Sequence, residues 1–435
     1  MAARSFPSQR GISIPHAVSS LQQTLLDNLL VPEKARTLHI NRSNTSRLTY
    51  IVEYRSVMGS DAGSIVTVDG RIDPDALGVT ITHEHLFSDL SVTSDKIRFE
   101  SPVNRKRSKE QLSLENRWFA QQGGGFHMAP DQLFLDSLDD AVEEVSKYYR
   151  RGGDAIVDVT PKHFGRDPDA VRAVMRETGV NVVHGTAYYT EASHPPEMAE
   201  KNIDEVQAEF VDDIRNGIGS SDVRAGIIGE LGVSGEINED EEKVLRAGAR
   251  AALETGASVT VHPNGKSHRR DGTYPSSRWG LEILDILEDE GLPAERVVID
   301  HMDRAFFEGT GLKYQKELAE RGAFIEYDEW GMEEHFTVDW IDRDYARPSN
   351  LHRAEWITEL VNDGYASNLL FSHDRHRKAQ LAKYGGRGYF HILNDVVPLL
   401  LINEPGREFG ITEADVEQIL IENPKRMLTF AEPES

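Results

Sequence analysis

The 435-residue sequence contains no cysteine, which excludes disulfide bonds, thiolate metal sites and cysteine nucleophiles. No apolar run approaches the roughly 18 residues that a membrane-spanning helix needs. Basic residues are also few, because 48 Lys and Arg stand against 73 Asp and Glu, for a formal net charge of -25. A nucleic-acid partner would need a basic face. We therefore expect a cytoplasmic protein that binds neither nucleic acid nor membranes.

The start of the chain differs from the rest in composition. Residues 1–58 carry seven basic and three acidic side chains, and they are rich in serine. A transit peptide, a disordered tail and a stretch ahead of a functional start at Met58 all fit this composition. We predict an N-terminal extension over residues 1–60, disordered or loosely attached and dispensable, followed by a single domain over residues 61–432.

From Ile65 onward, short β-rich apolar runs alternate with longer amphipathic segments, a pattern typical of repeated βα units. The predicted strands are Val79–Thr82, Ala155–Thr160, Asn181–Thr186, Ala225–Glu230, Ser258–His262, Val297–His301, Ala323–Tyr327 and Leu369–Ser372. The predicted helices are Ser137–Arg150, Pro168–Thr178, Asp204–Asn216, Glu239–Thr255, Trp279–Glu290, Tyr314–Arg321 and Arg353–Asn362. This α/β pattern predicts a (β/α)8 TIM barrel. An open doubly wound sheet is the alternative, although no Gly-x-Gly-x-x-Gly follows a strand.

Polar side chains occur where the predicted strands end, which is where barrels of this kind place catalytic groups. His83 and His85 are two positions apart, so on an extended backbone both imidazoles project to the same side. With 16 histidines in the chain, one such pair alone is unsurprising, and each other strand end could be a satisfied buried polar residue. The complete set is His83, His85, Glu230, His262, His301 and Asp374.

Imidazole and carboxylate ligands suit Zn²⁺, Mn²⁺ or a similar ion, and a bridging carboxylate holds two such ions about 3.5 to 4 Å apart. Two adjacent charges lower the pKa of a shared water towards neutrality. The set therefore indicates a hydrolase with a hydroxide nucleophile. No Gly-x-Ser-x-Gly elbow is present, in keeping with a reaction that needs no covalent intermediate.

Several motifs resemble the phosphotriesterase-like family of the amidohydrolase superfamily, and the resemblance runs from about Val68 to Phe430. They are Val79–Leu86 with Thr-His-Glu-His, Ile156–Pro161, Gly165-Arg166-Asp167-Pro168, Thr178–Asn181 and Glu422–Arg426. The resemblance implies a binuclear metal-dependent hydrolase with two divalent cations, Zn or Mn. It also implies a homodimer, because members of the family often form dimers.

The family pattern further implies His83, His85 and Asp374 on the more buried metal. It implies His262 and His301 on the more exposed one. Many members bridge the metals with a carboxylated lysine on strand four, whereas this sequence offers Glu230, as in members with a bridging glutamate. Asp374 would also accept the hydroxide proton and pass it to the leaving group.

The loops after the strands set specificity in such a barrel. Tyr188 and Tyr189 follow strand three, where family members often place a tyrosine that contacts substrate or hydroxide. One of the two could polarise the substrate carbonyl while the other packs. Basic side chains after strands two, five and eight predict a pocket for an anion, the alternative being solvated or ion-paired loop charges. These candidate substrate-binding residues are Lys162, Arg166, Arg269, Arg270 and Arg375.

The sequence thus predicts a lactonase acting on a sugar-acid or other anionic lactone. Hydrolysis of a phosphotriester or phosphodiester is the alternative within the same chemistry, because the same hydroxide attacks carbon and phosphorus centres. A barrel that binds ligand without turnover is the alternative from a different class of protein.

Overall fold

The computed structural model describes residues 60–91, 106, 109–120, 130–234, 237–263, 276–304, 311–332, 348–402 and 409–433. The predicted N-terminal extension lies outside the described residues, apart from Ser60. The segment Asp61–Ser435 forms one compact unit.

Eight strands form one sheet in chain order, each parallel to the next. They are β1 (Thr80–Glu84), β2 (Ala155–Asp158), β3 (Asn181–Thr186), β4 (Ile227–Val233), β5 (Val259–Pro263), β6 (Val297–Ile299), β7 (Phe324–Tyr327) and β8 (Leu369–Phe371). The end of β8 returns to β1, where Asp374 N donates to the His83 carbonyl over 3.1 Å and Ser372 Oγ donates to it over 2.7 Å. The predicted TIM barrel is confirmed.

Helices follow the strands as the alternating pattern predicts. They are α1 (Leu138–Tyr149), α2 (Pro168–Thr178), α3 (Ile203–Arg215), α4 (Glu239–Thr255), α5 (Ser276–Asp289), α6 (Lys313–Arg321) and α7 (Asn350–Asn362). After β8 the chain is helical over Ile392–Val396, Val397–Leu400, Glu413–Glu417, Gln418–Glu422 and Asn423–Leu428. Smaller elements lie outside the eight-stranded sheet. They are the hairpin Ile65–Thr67 with Gly70–Ile72, the strand pair Ser88–Asp89 with Phe134–Leu135, and the short helix Arg117–Ala120.

The helix ends show why these segments are helical. The Asp167 side chain accepts from Ala170 N at the start of α2, and Pro168 occupies the first turn, where its missing N–H costs nothing. Helices α2, α4 and α6 each end at a left-handed glycine, with φ of 77°, 88° and 110°. Glycine adopts this conformation without the penalty that a Cβ brings.

Alternation along the strands separates two apolar layers. In β2, Ala155 and Val157 join the cluster inside the barrel, whereas Ile156 joins the larger core beneath the helices. Towards the carboxyl ends of the strands, buried polar side chains such as His83 and Glu326 take over. The barrel therefore has an apolar floor and a buried polar mouth. None of the helices that the structure describes is long and apolar enough to cross a membrane.

The glycines that end α2 and α4 differ in their surroundings, which allows a matched comparison. A Cβ at Gly256 would collide with the Ala431 carbonyl oxygen, whereas a Cβ at Gly179 would meet nothing within 4 Å. Both Gly→Ala substitutions carry the left-handed penalty of about 1–2 kcal/mol. We expect Gly256→Ala to lower the free energy of unfolding by about 1–3 kcal/mol more, because the C-terminal backbone must shift. Denaturant unfolding measures the difference, and equal losses would contradict the contact.

Candidate active site

The six side chains that end the predicted strands lie together at the mouth of the barrel. Their candidate ligand atoms form two groups, and within each group the atoms lie within 4.8 Å of one another. The first group is His83, His85 and Asp374, and the second is Glu230, His262 and His301. All six side chains are buried. Residues spread over nearly three hundred positions thus meet in one pocket.

Glu230 lies between the two groups. Its Oε1 is 3.4 Å from His85 Nε2, and its Oε2 is 3.6 Å from His83 Nε2 and 3.2 Å from His262 Nδ1. On one side, His85 Nε2 is also 3.3 Å from Asp374 Oδ1. On the other side, His301 Nε2 lies 2.6 Å from His262 Nδ1. A carboxylate in this position faces both groups of ligands, as a bridging ligand must.

Two of the six residues have a left-handed backbone, which is uncommon for residues other than glycine. His301 has a φ of 57° and lies two residues after the end of β6, and Asp374 has a φ of 52° and lies three residues after the end of β8. Such conformations cost about 1–3 kcal/mol and concentrate at functional sites. In both residues the strained turn aims a side chain at the pocket.

Neighbouring groups orient two of the imidazoles. His301 Nδ1 is 2.7 Å from Asp328 Oδ1, and the same carboxylate accepts from His301 N. His85 Nδ1 is 3.0 Å from Thr160 Oγ1. In both cases Nδ1 is engaged by an outer partner and Nε2 faces the pocket, which is the usual arrangement around a metal-binding histidine.

The electrostatics favour lone pairs over protons at four of the six positions. Burial lowers the pKa of His262, and burial together with the Arg304 charge lowers that of His301 well below its ordinary value. Burial would raise the pKa of the Glu230 carboxyl, but His83 and His262 outweigh it and lower that pKa. His376 and His85 likewise hold the pKa of Asp374 well below its ordinary value despite burial. Neutral imidazoles and ionised carboxylates are what a divalent cation binds.

Unsatisfied buried atoms test whether these residues fit metal ions. Among the residues that the structure describes, both ring nitrogens of His83 and the Oε2 atom of Glu230 lack a hydrogen-bond partner. Leaving buried polar atoms unpaired costs about 1–3 kcal/mol each. The orphaned His83 and Glu230 atoms, with the nitrogen and oxygen donor set around them, fit divalent cations.

The two tyrosines after β3 lie in different surroundings. The Tyr189 hydroxyl is 3.0 Å from His262 Nε2 and therefore reaches the pocket. The Tyr188 hydroxyl instead donates to Glu209 over 2.6 Å and accepts from Lys201 over 3.1 Å. Burial and the bond to Glu209 raise the pKa of Tyr188 to about 12. Of the two tyrosines, the geometry brings Tyr189 alone to His262.

The candidate substrate-binding cations are held by other groups. Lys162 Nζ donates to Glu209 over 3.1 Å, and Arg166 Nη2 donates to Asp213 over 3.0 Å. Arg375 is 1% exposed and donates to the Trp330 carbonyl through Nη2 and to Glu84 through its backbone N–H. The remaining candidates, Arg269 and Arg270, lie outside the described residues.

The structure also brings to the pocket three residues outside the predicted set. Arg304 Nη2 is 3.9 Å from Asp374 Oδ2, and His376 Nδ1 is 2.8 Å from Asp374 Oδ1. Asp328, which orients His301, directly follows β7 and carries the same polar strand-end signal as the six. His376 belongs to the basic run that follows strand eight, whereas no spacing rule identifies Arg304.

Comparison with known proteins agrees with the fold. The model of the phosphotriesterase family matches residues 63–428. A human N-acetyltaurine hydrolase is 34% identical over 376 residues, which cover 86% of this chain and all of the human protein. Its Dictyostelium discoideum counterpart is 34% identical over 392 residues, covering 85% of this chain and 98% of that protein. The chain belongs to the phosphotriesterase family.

Solved structures extend the comparison. A resiniferatoxin-binding protein from Rhodobacter sphaeroides is 33% identical with a TM-score of 0.75, covering 86% of this chain and 99% of that one. A lactonase from Listeria monocytogenes is 25% identical with a TM-score of 0.63, covering 85% of this chain and all of that one. A binding protein and a lactonase thus share the fold of this chain.

A buried ion pair joins α7 to the loop after β6, and its contribution to stability can be tested. Arg353 is fully buried and donates to Asp303 Oδ2 over 2.6 Å. Arg353→Met would leave the buried Asp303 carboxylate without this partner, so we expect a loss of about 3–5 kcal/mol in the free energy of unfolding. Arg172→Met, which breaks ion pairs to exposed partners on α2 and its neighbouring loop, should change stability little. Similar losses in both variants, measured by denaturant unfolding, would contradict this account.

Proposed function

We propose that this protein is a binuclear metal-dependent hydrolase that cleaves the acyl bond of a small anionic amide or lactone. The observation that carries the proposal is the pair of ligand groups facing one shared carboxylate, Glu230. In this proposal His83, His85 and Asp374 hold one cation, His262 and His301 hold the other, and Glu230 bridges them. Zn²⁺ and Mn²⁺ match the nitrogen and oxygen donors.

Two divalent cations bound there would supply a hydroxide nucleophile at neutral pH and a Lewis acid for the substrate oxygen. In this proposal Asp374 takes the proton of the nucleophile and delivers it to the leaving group. His376, 2.8 Å from the same carboxylate, orients it. The Tyr189 hydroxyl, 3.0 Å from His262 Nε2, donates a hydrogen bond to the substrate carbonyl oxygen.

The kind of acyl bond is proposed from the relatives. The N-acetyltaurine hydrolases point to an amide whose amine carries an anionic group. Similarity to the Listeria lactonase favours lactone hydrolysis as the second candidate, as expected from the sequence. Both reactions begin with attack of the same nucleophile on an acyl carbon, so one site serves either substrate.

The first experiment measures metal content and turnover together. After purification with excess Zn²⁺ or Mn²⁺, we expect about two ions per chain. His301→Ala should lower the content towards one and abolish hydrolysis, because it removes a ligand of the second group. His352→Ala, an exposed histidine at the start of α7, is the matched control and should keep both ions. A His301→Ala variant with full metal content and activity would refute the ligand assignment.

A substrate panel tests the reaction. We expect the metal-loaded protein to hydrolyse N-acetyltaurine or an anionic lactone with a kcat/KM at least about 100-fold above that for a neutral aryl phosphotriester. Tyr189→Phe should lower kcat about tenfold or more, whereas Tyr188→Phe should not, because its hydroxyl faces Glu209. Equally low rates on every compound would leave the proposed function without support.

We propose that residues 1–60 take no part in catalysis. Deleting residues 1–57 removes none of the described groups that meet at the barrel mouth, so kcat/KM should stay within about twofold of the full-length value. Steady-state kinetics on the two forms make the comparison. A large loss on deletion would show that the extension contributes to the site.

A further inference from the structure

We propose that Arg304 is the anchor for the anionic group of the substrate, and that this group is an oxyanion close to the scissile acyl bond. The inference rests on the proposed hydrolase function and deepens it by naming the recognition residue. It names a residue other than the basic loop residues that the sequence suggested: Lys162 and Arg166 pair with Glu209 and Asp213, whereas Arg304 lies beside Asp374.

The first argument is position. Arg304 lies in the turn after β6, where its N–H donates to the His301 carbonyl over 3.0 Å. This turn keeps the arginine directly beside a proposed metal ligand. Its Nη2 is 3.9 Å from Asp374 Oδ2, and the side chain is 13% exposed. The guanidinium is therefore at the pocket wall and next to the residue proposed to transfer the proton.

The second argument is orientation. Arg304 Nε donates to Glu329 Oε1 over 2.6 Å, Nη2 lies 2.5 Å from the same oxygen, and Glu329 is fully buried. Glu329 is held in turn, because its N–H donates to Asp303 Oδ2 over 3.1 Å and Arg353 Nη2 is 3.7 Å from its Oε2. A planar guanidinium fixed in this way loses little conformational entropy when it binds a ligand.

These arguments define the ligand class. Glu329 pairs with the Nε and Nη2 edge of the guanidinium, so the proposed oxyanion pairs through the Nη1 and Nη2 edge. Two N–H donors suit planar and tetrahedral oxyanions alike, so carboxylate and sulfonate both fit. With Nη2 only 3.9 Å from Asp374, the oxyanion must lie a few bonds from the acyl carbon. A two-carbon spacer between the amide nitrogen and the acid satisfies this requirement, and it is present in both N-acetyltaurine and N-acetyl-β-alanine.

The test compares each acid with an uncharged analogue of the same shape. The substrates are N-acetyltaurine with its methyl sulfone analogue, and N-acetyl-β-alanine with its methyl amide. For Arg304→Met we expect kcat/KM on the acids to fall about ten- to a hundred-fold and on the neutral analogues to change less than about threefold. Arg304→Lys keeps the positive charge but loses the paired N–H donors of the guanidinium, so kcat/KM on the acids should fall by an intermediate factor. Comparing the sulfonate pair with the carboxylate pair shows which of the two acids the site prefers.

Two controls keep the result interpretable. Arg246→Met removes an arginine that is paired to three carboxylates on the outer surface of α4, and it should leave the preference for acids unchanged. Thermal melting of each variant shows whether loss of the partner of Glu329 has unfolded the barrel, and Arg304→Lys supplies the measurement if Arg304→Met does not fold.

Calorimetric binding of taurine to the metal-loaded protein supplies a readout that needs no turnover. We expect Arg304→Met to weaken taurine binding about tenfold or more. If the wild type hydrolyses none of the amides but binds taurine through Arg304, the proposed reaction fails and the anchor stands. An Arg304→Met variant that keeps the preference for acids overturns the inference. A wild type that neither prefers acids nor binds taurine or β-alanine overturns it as well.

Discussion

The concentration of buried negative charge around one imidazole governs this structure. Five carboxylates lie within 4.0 Å of a His83 ring nitrogen, and both nitrogens lack a hydrogen-bond partner among the described residues. The carboxylates belong to Glu230, Asp300, Glu326, Asp328 and Asp374. Burial alone would lower the pKa of His83, but Asp300 and Glu230 outweigh it and raise that pKa well above its ordinary value. Uncompensated ions are too costly to bury, so such a cluster requires protons or cations as partners.

The barrel can bury these carboxylates because they all lie in one layer, at its mouth. Below the mouth, alternate residues of the strands fill the interior with apolar side chains such as Val157, Ile227 and Val298. At the next level, threonine hydroxyls donate to the carboxylates, Thr82 to Glu326 and Thr260 to Asp300. One oxygen of each carboxylate is therefore fixed by the fold while the other points towards His83. This division keeps the donors rigid, which is the condition for holding cations in a defined geometry.

The barrel and the six strand-end residues were predictable because both follow from local periodicity. Strand β3 and helices α2 and α4 have the predicted bounds, since apolar runs and glycine stops mark their ends in the sequence. Parallel strands bring their carboxyl ends to one face, so polar residues such as His262 and His301 were expected to meet there.

The ion-pair partner of a basic loop residue, by contrast, is distant in the sequence. Lys162 meets Glu209 across 47 positions, and no spacing rule reveals such a pair.

The same limit explains why Arg304 could not be identified from sequence. Its orientation depends on Glu329 after β7, and Glu329 depends on Asp303 and on Arg353 in α7. Each of these contacts joins different βα units, and only the closed barrel brings them together. Because Arg353 and Asp303 are fully buried, the chain of ion pairs cannot relax into solvent as a surface pair would. Helix α7, on the outside of the barrel, thereby fixes the direction of the Arg304 guanidinium at the barrel mouth. The specificity of the pocket for its ligand thus depends on the packing of the whole barrel and not only on the loop that carries Arg304.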